Sequence, residues 1–121
     1  MKTHFARTFV CLAFLPLGTL LHAQVQTTAP TRVALRIDGL TAEERDQLST
    51  DLCRRGDLRI SFACVPAGIL ILEPISPDRS ADSVRAMAAA ALIHRLPVQR
   101  RSEVALSLKE AEELCSAARN Q

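Results

Sequence analysis

Outside the N-terminal leader, the side chains best suited to chemistry belong to three cysteines and one histidine: Cys53, Cys64, Cys115 and His94. Thiolates and imidazoles are ligands for soft and borderline metal ions. The four residues show no C-x-x-C or H-x-x-x-H spacing, so the sequence predicts no local metal site. A metal site built from Cys64, Cys115 and His94 is the weaker alternative.

Cys64 and His94 also form the one Cys/His combination that could pair a nucleophile with its base. Because Cys64 continues the apolar face of a predicted strand, we expect it to be buried and inert. His94 stands at the end of a predicted helix, where the helix dipole stabilises an imidazolium, and we interpret it as a capping residue rather than a ligand. We therefore predict no catalytic residues and no cofactor, with a soft metal ion as the alternative.

Four carboxylates surround Gly39: Asp38, Glu43, Glu44 and Asp46. Such a cluster could perform acid–base chemistry or hold a hard cation. Negative charge is also favourable at a helix N-terminus, and a helix is predicted to begin at this point. We interpret the cluster as a solvated helix N-terminus.

Residues 1–23 have the pattern of a secretory signal peptide, with basic Lys2 and Arg7 before an apolar run that ends in a small residue, Ala23. The run is too short to cross a bilayer. Cleavage leaves 98 of the 121 residues, enough for one domain. We predict a periplasmic or secreted protein whose mature chain has no membrane span.

The mature chain carries 13 basic and 13 acidic residues and a single aromatic residue, Phe62. A balanced charge and the lack of aromatic stacking platforms argue against nucleic-acid binding. Three cysteines is an odd number, so at least one is unpaired, pairs between chains or binds something. The simplest interpretation treats them as small buried hydrophobic residues, because a chain this apolar does not require a disulfide framework.

Residue patterns divide the mature chain into a lead (24–32), a domain (33–101) and a C-terminal helix with its tail (102–121). Within the domain we predict a strand over 33–38, a helix over 42–55, a hairpin of strands over 58–64 and 69–72, a helix from 81 and an edge strand over 96–101. A final helix begins after Ser102 or Ser107. In the first hairpin strand, Leu58, Phe62 and Cys64 are assigned to one face and Ala63 to the other.

This order predicts an α+β fold, a ferredoxin-like βαββαβ open sandwich with strand order 4-1-3-2 and an additional C-terminal helix. Residues 33–101 resemble the heavy-metal-associated domain, including the small exported mercury-binding proteins. The resemblance rests on Ile37-Asp38-Gly39-Leu40-Thr41, where the family has a strand ending in Gly-Met-Thr, and on the element spacing after it. Family members continue with Cys-x-x-Cys, which binds Cu(I) or Hg(II). Here Ala42 and Arg45 take those positions, so the resemblance implies the scaffold without its metal site.

One face of such a sheet is left open, and here it should carry Ala34, Ala63 and two residues of 69–72. The final helix either covers this face in its own chain or exchanges with a partner. We therefore expect an exported, non-enzymatic binding or interaction module. A protein partner or a second copy could dock through the open sheet face or the C-terminal helix. The alternative is a soft-metal-binding protein that uses the displaced cysteines.

Overall fold

The structure is a computed structural model that describes residues 31–121. The predicted signal peptide and residues 24–30 of the predicted lead lie outside the described residues. The elements are β1 (Val33–Ile37), α1 (Ala42–Arg55), β2 (Leu58–Cys64), β3 (Ile69–Pro74), α2 (Ala81–Leu92), a 3₁₀ turn (Val98–Arg100), β4 (Arg101–Val104) and α3 (Leu108–Arg119). Within residues 31–121, no helix combines the length and the hydrophobicity that a membrane span requires.

The four strands form one antiparallel sheet in the order β2-β3-β1-β4. The predicted α+β class is confirmed. In register, Leu35 of β1 lies opposite Leu70 of β3 on one side and Glu103 of β4 on the other. Strands β2 and β4 are therefore the two edges of the sheet.

Capping side chains set the starts of α1 and α3. The Thr41 hydroxyl accepts the Glu44 N–H, and the Glu44 carboxylate accepts the Thr41 N–H, both at 3.1 Å. Ser107 and Glu110 form a second capping box before α3. Of the two predicted starts of the last helix, the one after Ser107 is confirmed. The start after Ser102 is wrong, because Ser102 belongs to β4.

Two hydrophobic cores lie on opposite faces of the sheet. Strand β3 serves both, because Leu70 and Leu72 point to one core and Ile69 and Ile71 to the other. The first core, under α1 and α2, consists of Val33, Leu35, Ile37, Leu40, Leu48, Leu52, Leu58, Leu70, Leu72, Val84, Ala88, Leu92 and Leu96. The second core, under α3, consists of Ala34, Cys64, Ile69, Ile71, Ala111 and Cys115.

A bulge in β2 changes which face its last residues take. Ile60 pairs with Leu72 and Phe62 with Ile71, so Ser61 is an extra residue in the ladder. The predicted simple alternation is therefore wrong after Ile60. Phe62 belongs to the second core, and Ala63, assigned by sequence to the open face, packs against the first.

The bulge also turns Cys64 toward α3, where it forms a disulfide with Cys115. The two Cα atoms are 5.8 Å apart and 51 residues separate them along the chain. The interpretation of the three cysteines as small buried hydrophobic residues is wrong, because Cys64 and Cys115 are bonded to each other and Cys53 is exposed. Cys64 is buried as predicted, and α3 lies on the sheet of its own chain.

The predicted edge strand over 96–101 is also wrong, because β4 begins only at Arg101. Leu96 is buried in the first core, and residues 98–100 form a 3₁₀ turn in which the Arg100 N–H donates to the Pro97 carbonyl at 3.0 Å. Pro97 thus starts a turn rather than an edge strand.

Strand β3 continues to Pro74, past its predicted end at Leu72. Glu73 remains buried in this extension because two arginines from neighbouring positions bind its carboxylate. The Nε atoms of Arg32 and Arg59 lie 3.0 and 2.7 Å from its oxygens. Burial alone would raise the pKa of Glu73, but the two arginines outweigh burial and keep the pKa below its usual value.

The packing of α3 predicts that an Ala→Asp substitution lowers the stability of the protein by different amounts at two positions of this helix. Ala111 is 0 % exposed in the second core, whereas Ala117 is exposed. We expect Ala111→Asp to lower the free energy of unfolding by about 3 kcal/mol or more, because it buries an unpaired charge. Ala117→Asp should cost about 1 kcal/mol or less. Urea denaturation measures both, and equal losses would contradict the assignment of Ala111 to a buried helix face.

Candidate functional site

The loop between β1 and α1 is closed by Arg100, which is distant from the loop along the chain but contacts it in the fold. The Arg100 guanidinium donates from Nε to the Asp38 carbonyl at 3.0 Å and from Nη2 to the Gly39 carbonyl at 2.9 Å. Its Nη1 donates to Oε1 of Glu44 at 2.7 Å. A single side chain therefore ties the loop, the first turn of α1 and the turn before β4 together.

This arrangement removes Glu44 from acid–base chemistry near neutral pH. The hydrogen bond from Arg100 lowers the pKa of Glu44 from its ordinary value of 4.5 to about 2, and the Thr41 N–H assists. Among the other carboxylates of this cluster, Glu43 accepts the Gln47 amide at 2.9 Å and Asp46 pairs with Arg45. The cluster is thus a hydrogen-bonded helix start, with a specific ion pair that the sequence did not predict.

Ala42 and Arg45, at the positions of the missing metal motif, lie in the first turns of α1. The Arg45 guanidinium bonds to Asp46 at 2.7 Å. These two described positions of α1 therefore hold an alanine and an arginine paired with Asp46, and neither offers a thiol.

Of the predicted cysteine and histidine candidates, the structure joins Cys64 to Cys115 and leaves Cys53 and His94 apart from them. Cys64 and Cys115 form the disulfide in the second core, so neither offers a thiolate. Cys53 is a free, exposed thiol on α1, which packs on the opposite face of the sheet. Within residues 31–121, no group of three or more His, Cys, Asp or Glu side chains has a metal-binding arrangement.

His94 lies exposed two residues beyond α2. The Leu92 carbonyl at the end of this helix accepts backbone N–H groups from Arg95 and Leu96, at 3.1 and 2.8 Å. In the described part of the chain, the His94 side chain forms no hydrogen bond, and backbone groups take the acceptor that a capping side chain would use.

An open groove lies between α2 and β4, where the sheet extends beyond α2. Its volume is about 200 Å³. The floor is apolar, and charged side chains of both elements stand at its rim. We define the α2–β4 groove by its floor, Val33, Leu35, Ala88, Ala89 and Leu92, its exposed end, Val98, and its rim, Arg85, Arg101 and Glu103.

Arg85 and Glu103 at this rim neutralise each other. Nε of Arg85 lies 2.8 Å from Oε1 of Glu103, and its Nη1 lies 3.2 Å from Asp82. The pKa of Arg85 is raised, mainly by the hydrogen bond to Glu103. This pair therefore closes one side of the groove without offering a free charge.

Arg101 differs from the other rim residues because its charge is not compensated. Its Nη1 is shielded from solvent and has no hydrogen-bond partner. An unsatisfied buried donor costs about 1–3 kcal/mol, and more when the group is charged. In the described residues no carboxylate pairs with this guanidinium, which makes Arg101 the one rim group suited to bind an anion.

Sequence reasoning missed Arg101 because the edge strand was placed too early. With a strand over 96–101, Arg101 is the last residue of an edge and serves only to discourage further pairing. In the structure it is the first residue of β4 and lies opposite Ile37, so its side chain takes the face of α2. One sequence signal was available: Arg101 and Glu103, which follow a proline turn, have the period-two spacing of residues on one face of a strand.

No protein-family model matches the chain, and no curated protein or solved structure is significantly similar to it. The geometry of the described residues therefore carries the functional argument.

The Arg100–Glu44 ion pair predicts a particular pH dependence of stability. The pKa of Glu44 is lowered by folding, so its contribution is complete above about pH 5 and is lost as the pH falls toward 2. We expect Glu44→Gln to lower the free energy of unfolding by about 1–2 kcal/mol at pH 7. The difference from wild type should shrink steadily between pH 5 and pH 2.

Glu43→Gln is the matched control, because Glu43 is the neighbouring carboxylate and contacts Gln47 rather than an arginine. Its effect on urea denaturation should be small at every pH. A Glu44→Gln loss that stays constant down to pH 2 would show that the ion pair with Arg100 is not the cause.

Proposed function

We propose that the chain is an exported, non-enzymatic binding module on a ferredoxin-like scaffold that resembles a heavy-metal-associated domain and has lost its metal motif. The observation that carries the proposal is the contrast between two places. The loop where the family binds metal is closed by Arg100 and Glu44, whereas the α2–β4 groove is open and apolar, with one unpaired cation.

The order of elements supports the ferredoxin-like assignment. Before α3, the chain runs β1-α1-β2-β3-α2-β4, and both earlier helices pack on the first core. Read from the β4 edge, the strand order is β4-β1-β3-β2. The order supports the assignment, because a βαββαβ open sandwich is expected to have the order 4-1-3-2. On this scaffold α3 would be an additional cover of the second face.

The composition of the groove supports binding rather than catalysis. Its lining combines aliphatic side chains with two arginines and one glutamate, and that glutamate is held by Arg85. A nucleophile with a positioned base is the usual requirement of covalent catalysis, and the lining includes no cysteine, serine or histidine. An apolar concave surface with a few oriented polar groups is typical of a ligand site.

The alternative function, soft-metal binding by displaced cysteines, would require the disulfide to open. Cys64 and Cys115 offer thiolates only after reduction, and Cys53 lies on the other side of the sheet. The exported location rests on the predicted signal peptide, and an oxidising compartment would favour the disulfide.

Cu(I) titration separates the two functions. Against a chelator of known affinity, we expect the disulfide-bonded protein to bind Cu(I) no tighter than about micromolar, because tight soft-metal binding needs paired thiolates. The double variant Ala42→Cys/Arg45→Cys places two thiols one helical turn apart at the start of α1. It should bind Cu(I) about 10²- to 10⁴-fold tighter than wild type, since the second thiolate acts intramolecularly.

Ala42→Cys alone is the matched control and should gain little. Non-reducing mass spectrometry establishes that the Cys64–Cys115 disulfide survives in each sample. Tight stoichiometric binding by wild type would contradict the proposed function and favour the metal-binding alternative. No gain in the double variant would contradict the resemblance of this loop to the family's metal site.

A further inference from the structure

We propose that the α2–β4 groove binds aliphatic monocarboxylates, with the carboxylate on Arg101 and the hydrocarbon part on the apolar floor. This inference rests on the proposed function and deepens it, because it assigns a chemical class to the ligand. It needs neither a metal ion nor a second protein.

Charge complementarity selects a single negative group. Arg85 is held by Glu103 at 2.8 Å and by the exposed Asp82 at 3.2 Å, so it offers no free charge to a ligand. Arg101 is the remaining cation of the rim: its side chain lines the groove, and no carboxylate of the described residues pairs with it. A carboxylate matches the planar fork of a guanidinium and would pair with the part of Arg101 that lines the groove. A cation would be repelled by this guanidinium, and a neutral oxygen would accept its hydrogen bond without the attraction between opposite charges.

The floor selects an aliphatic tail. Val33 and Leu35 of β1 and Ala88 and Leu92 of α2 are buried side chains at the bottom of the groove. Val98, at its exposed end, is 65 % accessible and gives further apolar surface to a bound chain. The groove lacks aromatic side chains for stacking, so the favourable contribution to the binding free energy comes from burial of the ligand's hydrocarbon part.

The size of the groove restricts the ligand to a small molecule. Its volume of about 200 Å³ lies below the range of drug-sized sites, which begin at about 300 Å³. A short unbranched or branched carboxylate fits this volume, whereas a large ring system does not. Hexanoate is a suitable probe because it combines one carboxylate with a short flexible chain.

The test compares hexanoate with 1-hexanol, which has the same tail without the charge. Both are titrated into the ¹⁵N-labelled protein, and amide shifts of Val33, Leu35, Ala88 and Leu92 report the groove. We expect hexanoate to bind saturably and about tenfold or more tightly than 1-hexanol, the gain typical of a charge-assisted hydrogen bond. Arg101→Gln should reduce hexanoate affinity to that of 1-hexanol.

Arg36→Gln is the matched arginine control. Arg36 is an exposed residue of the adjacent strand β1, on the opposite face from the α2–β4 groove, and has no ion pair in the described part of the chain. It should leave hexanoate binding unchanged. A second pair tests the groove without altering charge: Ala89→Phe fills it, whereas Ala90→Phe, one residue along α2 and outside the groove, does not. Only Ala89→Phe should abolish binding of both probes.

The possible failures are distinct. Equal affinity for hexanoate and 1-hexanol, both lost in Ala89→Phe, would overturn the carboxylate assignment and leave a binding groove. Hexanoate binding that survives both Arg101→Gln and Ala89→Phe would overturn the site itself. If neither probe binds, this inference is overturned. The proposed function is tested separately by the Cu(I) titrations.

Discussion

The fold depends on one constraint, which is that the central strand β3 carries apolar side chains on both faces. All six of its residues are buried, and the first four place Leu70 and Leu72 on one face and Ile69 and Ile71 on the other. Both faces of a sheet of this kind must be covered by other elements, because each exposes apolar side chains. Helices α1 and α2 cover the first face, and α3 covers the second. The bulge at Ser61 adapts β2 to this arrangement, because it sends Phe62 and Cys64 toward α3 and allows the disulfide to fix that helix.

This double cover determines where a ligand can bind. The second sheet face, the expected docking surface for a partner, is packed against α3 of the same chain. The loop after β1 is closed by Arg100, whose guanidinium contacts two carbonyls and a carboxylate. The sheet extends beyond α2 at β4, and there the floor of the first core reaches the surface beside Arg101. The proposed function and the proposed carboxylate site both rest on this distribution of covered and open surface.

Much of the fold could be predicted because local rules determine it. Hydrophobic periodicity and two capping boxes located α1, α2 and the start of α3, and the two-sided apolar run located β3. The failures share a cause, because each depends on contacts between distant residues. The bulge follows from how β2 pairs with β3, the disulfide from a separation of 51 residues, and the start of β4 from the burial of Leu96. The candidate site could not be predicted from the sequence for the same reason, since Arg101 joins the groove only when β4 begins at that residue.

Peptide mapping without reduction most directly tests whether α3 is fixed on the sheet of its own chain. After alkylation of free thiols and digestion with trypsin, the covered sheet predicts a disulfide between the peptides 60–79 and 110–119, which contain Cys64 and Cys115. This link should come from protein of monomeric mass, and Cys53, in peptide 46–54, should carry the alkyl label. Alkylated Cys64 and Cys115, or a link that joins two chains, would contradict the arrangement on which the fold and the proposed site depend.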